Sequence, residues 1–568
     1  MVRNQLPGSS RLNPGQRRAH LSRMRRESFD VVVIGGGVTA CGVALDAVSR
    51  GLSVALVEQR DYASGTSSRS SKLFHGGLRY LEQRNFSLVR EALAERNLML
   101  THVCPHLTTP VSFLYPLRHR FWERLYVGSG VLLYDLLASF ADSPLPRHYH
   151  LSRRSALELA PALGEDSFIG AVRYWDVVVD DARHTLMLAR TAAAHGAVLA
   201  TSVRATGLMI EEGQVSGVEA RDLEKGEDLR IRGRRVINAT GVWSDDVQAM
   251  AGDHGLDVQA SKGIHIVVPQ DRIRAGTGLI LRTEKSVLFV IPWGRHWIVG
   301  TTDTPWQLRR AHPAASRSDI DYLMGRVNTV LAEPLTAGDI VGVYAGLRPL
   351  LTGESDDTSK LSREHAVIRS ATGLISVAGG KYTTYRLMAR DAVDAAVADQ
   401  GRAIPGSRTE EIRLLGADGY ARLIEDPSRV ALPDAERHLG RYGSEVERLV
   451  ELVAADPSLG EPLVPDAPYL RAEIAFAALA EGALHLDDVL TRRTRISIET
   501  RDRGVQAAKA AALIVAPILG WDAATAAAEV DHYRARVEAE LDSQSQPDDS
   551  TADAARMGAP DVRTGRSE

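Results

Sequence analysis

Phe-Asp-Val-Val-Val-Ile-Gly-Gly-Gly-Val-Thr-Ala (Phe29 to Ala40) runs through an apolar stretch to Arg50 and on into Leu-Ser-Val-Ala-Leu-Val-Glu (Leu52 to Glu58). This stretch decides the fold. The β-branched run 29–34 reads as a buried strand, residues 38–50 as a helix and 52–57 as the next strand. Strand, glycine turn, helix and strand make a βαβ unit, whose crossover is right-handed almost without exception. In the Gly35-Gly36-Gly37 turn, Gly35 permits the tight bend. Gly37 lets the backbone approach a diphosphate held at the helix N-terminus, and Ala40 is the small residue needed where helix meets sheet. Glu58 ends the second strand, where an acid grips ribose hydroxyls and repels a 2′-phosphate. The unit predicts an adenine dinucleotide, with FAD and NAD both open on this stretch alone.

Further along, two loops favour FAD. Asn238-Ala239-Thr240-Gly241 follows a buried strand at 235–238, where the chain can pass close to the same dinucleotide. Gly379-Gly380-Lys381-Tyr382-Thr383-Thr384 follows a strand at 374–378 and opens a helix. A helix N-terminus aimed at a flavin stabilises negative charge on the reduced ring. These strands are expected to share one sheet with the first two. Between the βαβ unit and the next helix lies a Ser/Gly/Thr stretch, Ser64 to Gly77. Its Ser67–Lys72 run offers hydroxyls and backbone N–H groups to the diphosphate and flavin.

The chain has 568 residues, 44% hydrophobic and 25% charged, ordinary globular usage and enough for two or three domains. Its two cysteines, Cys41 and Cys104, cannot build a cysteine-rich zinc site, an iron–sulfur cluster or a disulfide framework. No metal-ligand spacing occurs. Residues 1–28 carry seven Arg and one acid, so the other 540 residues net about −10. That balance argues against nucleic acid as a partner. No uncharged apolar window is long enough to span a bilayer. The closest approach, Trp122 to Phe140, is interrupted by Glu123, Arg124 and Asp135. We expect a disordered basic arm over 1–28, a cofactor and substrate region over 29–400, a helical domain over 405–540 and a disordered tail over 541–568.

The block Ser67-Ser-Arg-Ser-Ser-Lys-Leu-Phe-His-Gly-Gly-Leu-Arg-Tyr-Leu81 resembles the FAD-dependent glycerol-3-phosphate dehydrogenases of the aerobic, quinone-linked type. Lys262-Gly-Ile-His-Ile-Val-Val268, Gly300-Thr-Thr-Asp303, Gly346-Leu-Arg-Pro-Leu350 and Gly379-Gly-Lys-Tyr-Thr-Thr-Tyr-Arg386 match in family order. The resemblance implies an α/β fold: a Rossmann-like FAD-binding domain of the glutathione-reductase/amino-acid-oxidase type, a mixed-sheet substrate domain and a C-terminal helical domain. The FAD-binding parts would lie at about 29–110, 195–245 and 340–400. It also implies oxidation of sn-glycerol 3-phosphate to dihydroxyacetone phosphate, with electrons passing to FAD and then to a membrane quinone.

Such an oxidation needs a base for the hydroxyl proton and cations for the phosphate dianion. On the matched motifs His265 is the base, Lys381 holds the substrate oxygen or flavin edge, and His75 faces the flavin. Arg79, Arg348 and Arg363, with Tyr80, are assigned to the phosphate. The cofactor set is Gly35, Gly36, Gly37, Ala40, Glu58, Thr66, Ser67, Ser68, Lys72, Leu73, Gly77, Val203, Thr240, Gly241, Gly380, Lys381 and Thr383. The expected location is cytoplasmic, with peripheral contact on the inner face of the membrane through the Trp122–Phe140 segment, and a homodimer is compatible with the reading. Rival readings stay open. An oxidase passing electrons to oxygen shares these motifs. An amine or amino-acid oxidase would need one carboxylate clamp in place of several cations, and a flavin-containing RNA-modifying protein would need a basic stripe on the folded domains.

Overall fold

In the computed structural model, residues 9–563 are described except 78–85, 120–142, 254, 284–286, 353–363, 400, 402 and 466. Arg79, Tyr80, Arg363 and the Trp122–Phe140 segment lie outside the described residues. Two sheets organise the fold. In the first, Ser28–Ile34 runs parallel to Val54–Val57 on one side and to Glu227–Asn238 on the other. Ile375–Gly379 extends the parallel set next to Glu227–Asn238 and Val198–Ala200 closes the opposite edge. The strands of all three loop motifs therefore lie side by side, with their C-terminal ends in one row. The helices Val38–Ser49, Asp181–Ala194 and Tyr385–Val397 pack over one face. Gly42 makes this approach close, because a Cβ there would stand 3.0 Å from the Tyr385 ring and 3.2 Å from the Ala389 methyl.

The second, ten-stranded sheet is mixed. Its long strand Val258–Pro269 pairs antiparallel with both His296–Gly300 and Gly342–Leu351. Ile264, Ile266 and Val268 pack under the helix Arg317–Asn328. Side chains alternate along a strand, so Gly263 and His265 face the opposite side, towards the first sheet.

Residues 9–28 of the basic arm are ordered, contrary to expectation. Asn13 caps the helix Pro14–Arg26, whose His20, Leu21 and Met24 are buried. The helix covers the edge strand Val198–Ala200: His20 Nδ1 lies 2.8 Å from Leu199 O, and Arg17 pairs with Asp222 at 2.6 Å. Only three inward residues are needed to seat it, too few to show as periodicity in an Arg-rich stretch. Residues 541–563 of the tail are also ordered. Ala523–Ser545 continues the helical domain, and Asp549–Arg556 forms a further helix. Asp549 reaches Lys262, Asp553 pairs with Arg309 at 3.1 Å, and Arg563 grips Asp488 at 2.8 Å. A Ser/Asp/Pro/Gly-rich composition carried no trace of these distant partners.

The helical part is locked to the rest through buried ion pairs. Asp61 accepts from Arg492 at 2.6 Å and from Arg493 at 2.7 Å, while Arg183 pairs with Glu481 at 2.7 Å. Asp61→Ala leaves two buried guanidiniums without their shared carboxylate. Breaking a buried pair costs about 3–5 kcal/mol, so calorimetry is expected to show a clearly lowered Tm. An unchanged Tm would mean that Asp487 and Asp488 suffice to hold Arg492, and the Glu481 carbonyl to hold Arg493.

Candidate active site

A cavity of about 900 Å³ opens where the C-terminal ends of the first sheet meet the inner face of the second. This is at the upper end of the roughly 300–1,000 Å³ usual for small-molecule sites. Its first wall is the glycine turn. Gly35 has φ +120, and a Cβ there would fall 2.7 Å from the Ala239 carbonyl oxygen; at Gly36 it would fall 2.7 Å from the Glu58 side chain. The backbone here is bare because nothing larger fits. Ser67 Oγ accepts from Val38 N at 2.9 Å, tying the serine run to the start of the helix. Glu58 is buried beside the turn and accepts from Arg60 N at 2.8 Å, and burial pushes its carboxyl above the ordinary range. Thr66, Leu73, His75, Gly77, Val203, Thr240, Gly241, Gly380, Lys381 and Thr383 also line the cavity.

The opposite wall carries the polar chemistry. His265 stands opposite Gly300 across one strand pair and opposite Tyr344 across the other. A Cβ on Gly300 would come 2.2 Å from the His265 ring, so only glycine leaves the imidazole its place. Tyr344 stacks on that ring at 4.7 Å, and Ser71 Oγ lies 2.9 Å from His265 Nε2. Nδ1 is buried without a hydrogen-bond partner. Burial, followed by the charges of Arg348 and Lys72, holds the His265 pKa well below its ordinary value, so the ring is neutral near pH 7.

Arg348 lies across Gly263, where a Cβ would meet its Nη2 at 2.5 Å. It donates to Thr301 Oγ1 and Thr302 O, both at 3.1 Å, and pairs with Asp303 at 3.4 Å. Thr301, Asp303, Ser71 and Tyr344 were not singled out in the sequence. The Gly300–Asp303 motif marked the first two and the Ser67–Lys72 run contained Ser71, whereas Tyr344 lay outside every matched segment.

Three residues assigned to the cofactor do not line the cavity. Ala40 is buried behind the turn, in helix–sheet packing. Ser68 turns its carbonyl to Lys72 Nζ at 3.0 Å. Lys72 is corrected from a cofactor contact to a structural cation. Its fully buried ammonium pairs with Asp181 at 2.8 Å and sits 5.0 Å from the Tyr344 ring centre. A buried charge requires such a partner, and the partner lies in a distant part of the chain.

The comparisons accord with this geometry. A model of the FAD-dependent oxidoreductases matches residues 30–386, and one for the C-terminal domain of alpha-glycerophosphate oxidase matches 407–526. Glycerol-3-phosphate dehydrogenase 2 of Mycobacterium tuberculosis is 57% identical over 559 residues, covering 97% of this chain and 95% of that protein. The chain belongs to the FAD-dependent glycerol-3-phosphate dehydrogenase family. The human mitochondrial member is 37% identical over 90% of this chain and 73% of its own length. The crystal structure of the Bacillus halodurans member, complexed with FAD, superposes with a TM-score of 0.76 at 29% identity, over 93% of this chain and 98% of that one. FAD is therefore the cofactor of this family member, and the bare glycine cradle, Glu58 and the volume of the cavity fit it.

Gly35→Ala tests that cradle. The strained backbone and the clash with Ala239 should weaken FAD binding about ten- to hundredfold, giving a colourless protein with an unchanged far-UV CD spectrum. A variant that purifies yellow would show that the turn can shift to accept a side chain.

Proposed function

We propose that the enzyme oxidises the secondary alcohol of sn-glycerol 3-phosphate to dihydroxyacetone phosphate. The observation that carries this reading is a neutral, buried imidazole with an unpartnered Nδ1 and a guanidinium on the same face of paired strands, at a cavity built for a flavin dinucleotide. The names of the relatives support the substrate. His265 takes the hydroxyl proton at Nδ1, with Nε2–H donating to Ser71 and fixing the tautomer. Arg348 binds the phosphate and is itself oriented by Asp303 and Thr301; for Arg79, Arg363 and Tyr80 the phosphate role rests on the family resemblance alone. Lys381, at the helix opening after Ile375–Gly379, holds the substrate oxygen. Bound FAD supplies the acceptor for the hydride equivalent leaving C2.

A membrane quinone as the final acceptor, and peripheral contact with the bilayer, rest on the family resemblance. Among the described residues no helix is long and apolar enough to cross a membrane. Anaerobic addition of sn-glycerol 3-phosphate to the yellow protein is expected to bleach the visible flavin band. Reoxidation should then be fast with a quinone analogue and slow with oxygen. A flavin that stays oxidised would overturn the substrate assignment, and fast reoxidation by oxygen would favour an oxidase.

A further inference from the structure

Near Glu58 and the serine run, the cofactor cavity borders a second, smaller chamber of about 40 Å³, closed on its far side by the helical domain and the C-terminal segment. A single water needs roughly 10–15 Å³, so the chamber has room for a group of several heavy atoms. Arginines crowd it, and most have a carboxylate. Arg492 pairs with Asp61, Asp487 and Asp488, Arg536 with Asp487 at 2.9 Å, Arg563 with Asp488 at 2.8 Å, and Arg556 lies 3.6 Å from Glu540.

Arg60 and Arg69 differ. They belong to both cavities, and among the described residues neither has an ion pair. Arg60 is 6% exposed and its Nε has no hydrogen-bond partner. Its Nη1 donates to Ala311 O at 3.1 Å, the same carbonyl that Arg69 Nη1 approaches at 3.4 Å. Two guanidiniums thus converge on one carbonyl oxygen; the nearby Asp561 carboxylate, 3.2 Å from His312, acts on Arg60 through space without an ion pair to it. Arg60 is buried and Arg69 half-buried; guanidiniums gathered in this way repel one another, a cost that a bound anion removes. In keeping with this, burial and the charges of Arg60 and Arg492 pull the Arg69 pKa down to about 9.

We propose that Arg60 and Arg69 form an anion site for a phosphate group at the junction of the two cavities. Planar guanidiniums with several N–H donors suit a tetrahedral oxyanion. The chamber is too small for a nucleoside, so only the phosphate itself enters it. Two sources share this chemistry: the diphosphate of the dinucleotide, whose loop residue Ser67 is two positions from Arg69, and free inorganic phosphate.

Two measurements on wild type, Arg60→Gln and Arg69→Gln separate them: FAD affinity of the apoprotein from quenching of flavin fluorescence, and Tm of the holoenzyme in phosphate against chloride of equal ionic strength. If the phosphate is the dinucleotide's, each variant loses FAD affinity by about tenfold or more, the worth of one charge-assisted hydrogen bond. Inorganic phosphate then competes with FAD for the apoprotein. If the phosphate is free, FAD affinity is unchanged, and phosphate raises the holoenzyme Tm in wild type but not in the variants. Arg60→Lys and Arg69→Lys keep the charge and should restore part of either effect, which separates loss of the site from misfolding. FAD affinity within twofold of wild type together with no phosphate-specific rise in Tm would overturn the proposal.

Discussion

Replacing His265 by alanine is expected to lower kcat by about 10²–10⁴-fold, the usual contribution of a positioned general base, while leaving KM for sn-glycerol 3-phosphate within a few-fold of wild type. The removed imidazole acts on the hydroxyl proton as the transition state forms, so ground-state binding changes little. The cavity left by the ring is bounded by Gly300 and Tyr344, both held in strand pairing, and the sheet should survive the change. The pH profile of the wild type supplies a second check. Burial and two nearby positive charges hold the His265 pKa well below its ordinary value. The base is thus already deprotonated near neutrality, and the acid limb of kcat/KM should fall below pH 6.5, the ordinary histidine value. A His265→Ala variant with normal turnover across pH would remove this residue as the base.

Arg348→Ala is expected to act in the opposite way, raising KM by about 10²–10³-fold, as truncating one partner of a buried charge pair costs roughly 2–5 kcal/mol. Part of that loss is repulsion. Without the guanidinium, Asp303 loses a cation that it pairs with at 3.4 Å, and its negative charge faces the place assigned to the phosphate. The variant carries a further signature. Arg348 is one of the charges that depress the His265 pKa, so its removal lets that pKa rise. The acid limb of the kcat profile should then move to higher pH. An unchanged KM would place the phosphate away from Arg348.

The glycine turn was legible because its constraints are local. Gly35 and Gly36 are required by Ala239 and Glu58 pressing against the bend, Gly37 has Ser67 Oγ 3.2 Å from where its Cβ would stand, and Glu58 follows at the end of the adjoining strand. Family motifs named His265, Arg348 and Lys381, and all three line the cavity. The motifs did not say why they fit. His265 has its place because register sets Gly300 opposite it, and Arg348 because Gly263 leaves the strand surface bare. Such pairings bring together residues from separate parts of the chain, which periodicity within one segment cannot show.

Charge was the least legible feature. Lys72 read as a cofactor contact in a serine-rich loop, yet its partner Asp181 lies 109 residues away. Arg17 meets Asp222, and Lys262 meets Asp549, across 205 and 287 residues. Composition made disordered segments of two termini that are seated by such pairs. An ionic contact has no sequence period, and its energy depends on burial and on the partner's position. The amino-acid sequence by itself therefore determined the dinucleotide unit, the cofactor class and the family, through short-range sterics and motif order. Only the tertiary structure decided which cations are neutralised, where the termini dock and which guanidiniums remain open to an anion, because those outcomes rest on long-range electrostatics in a buried setting.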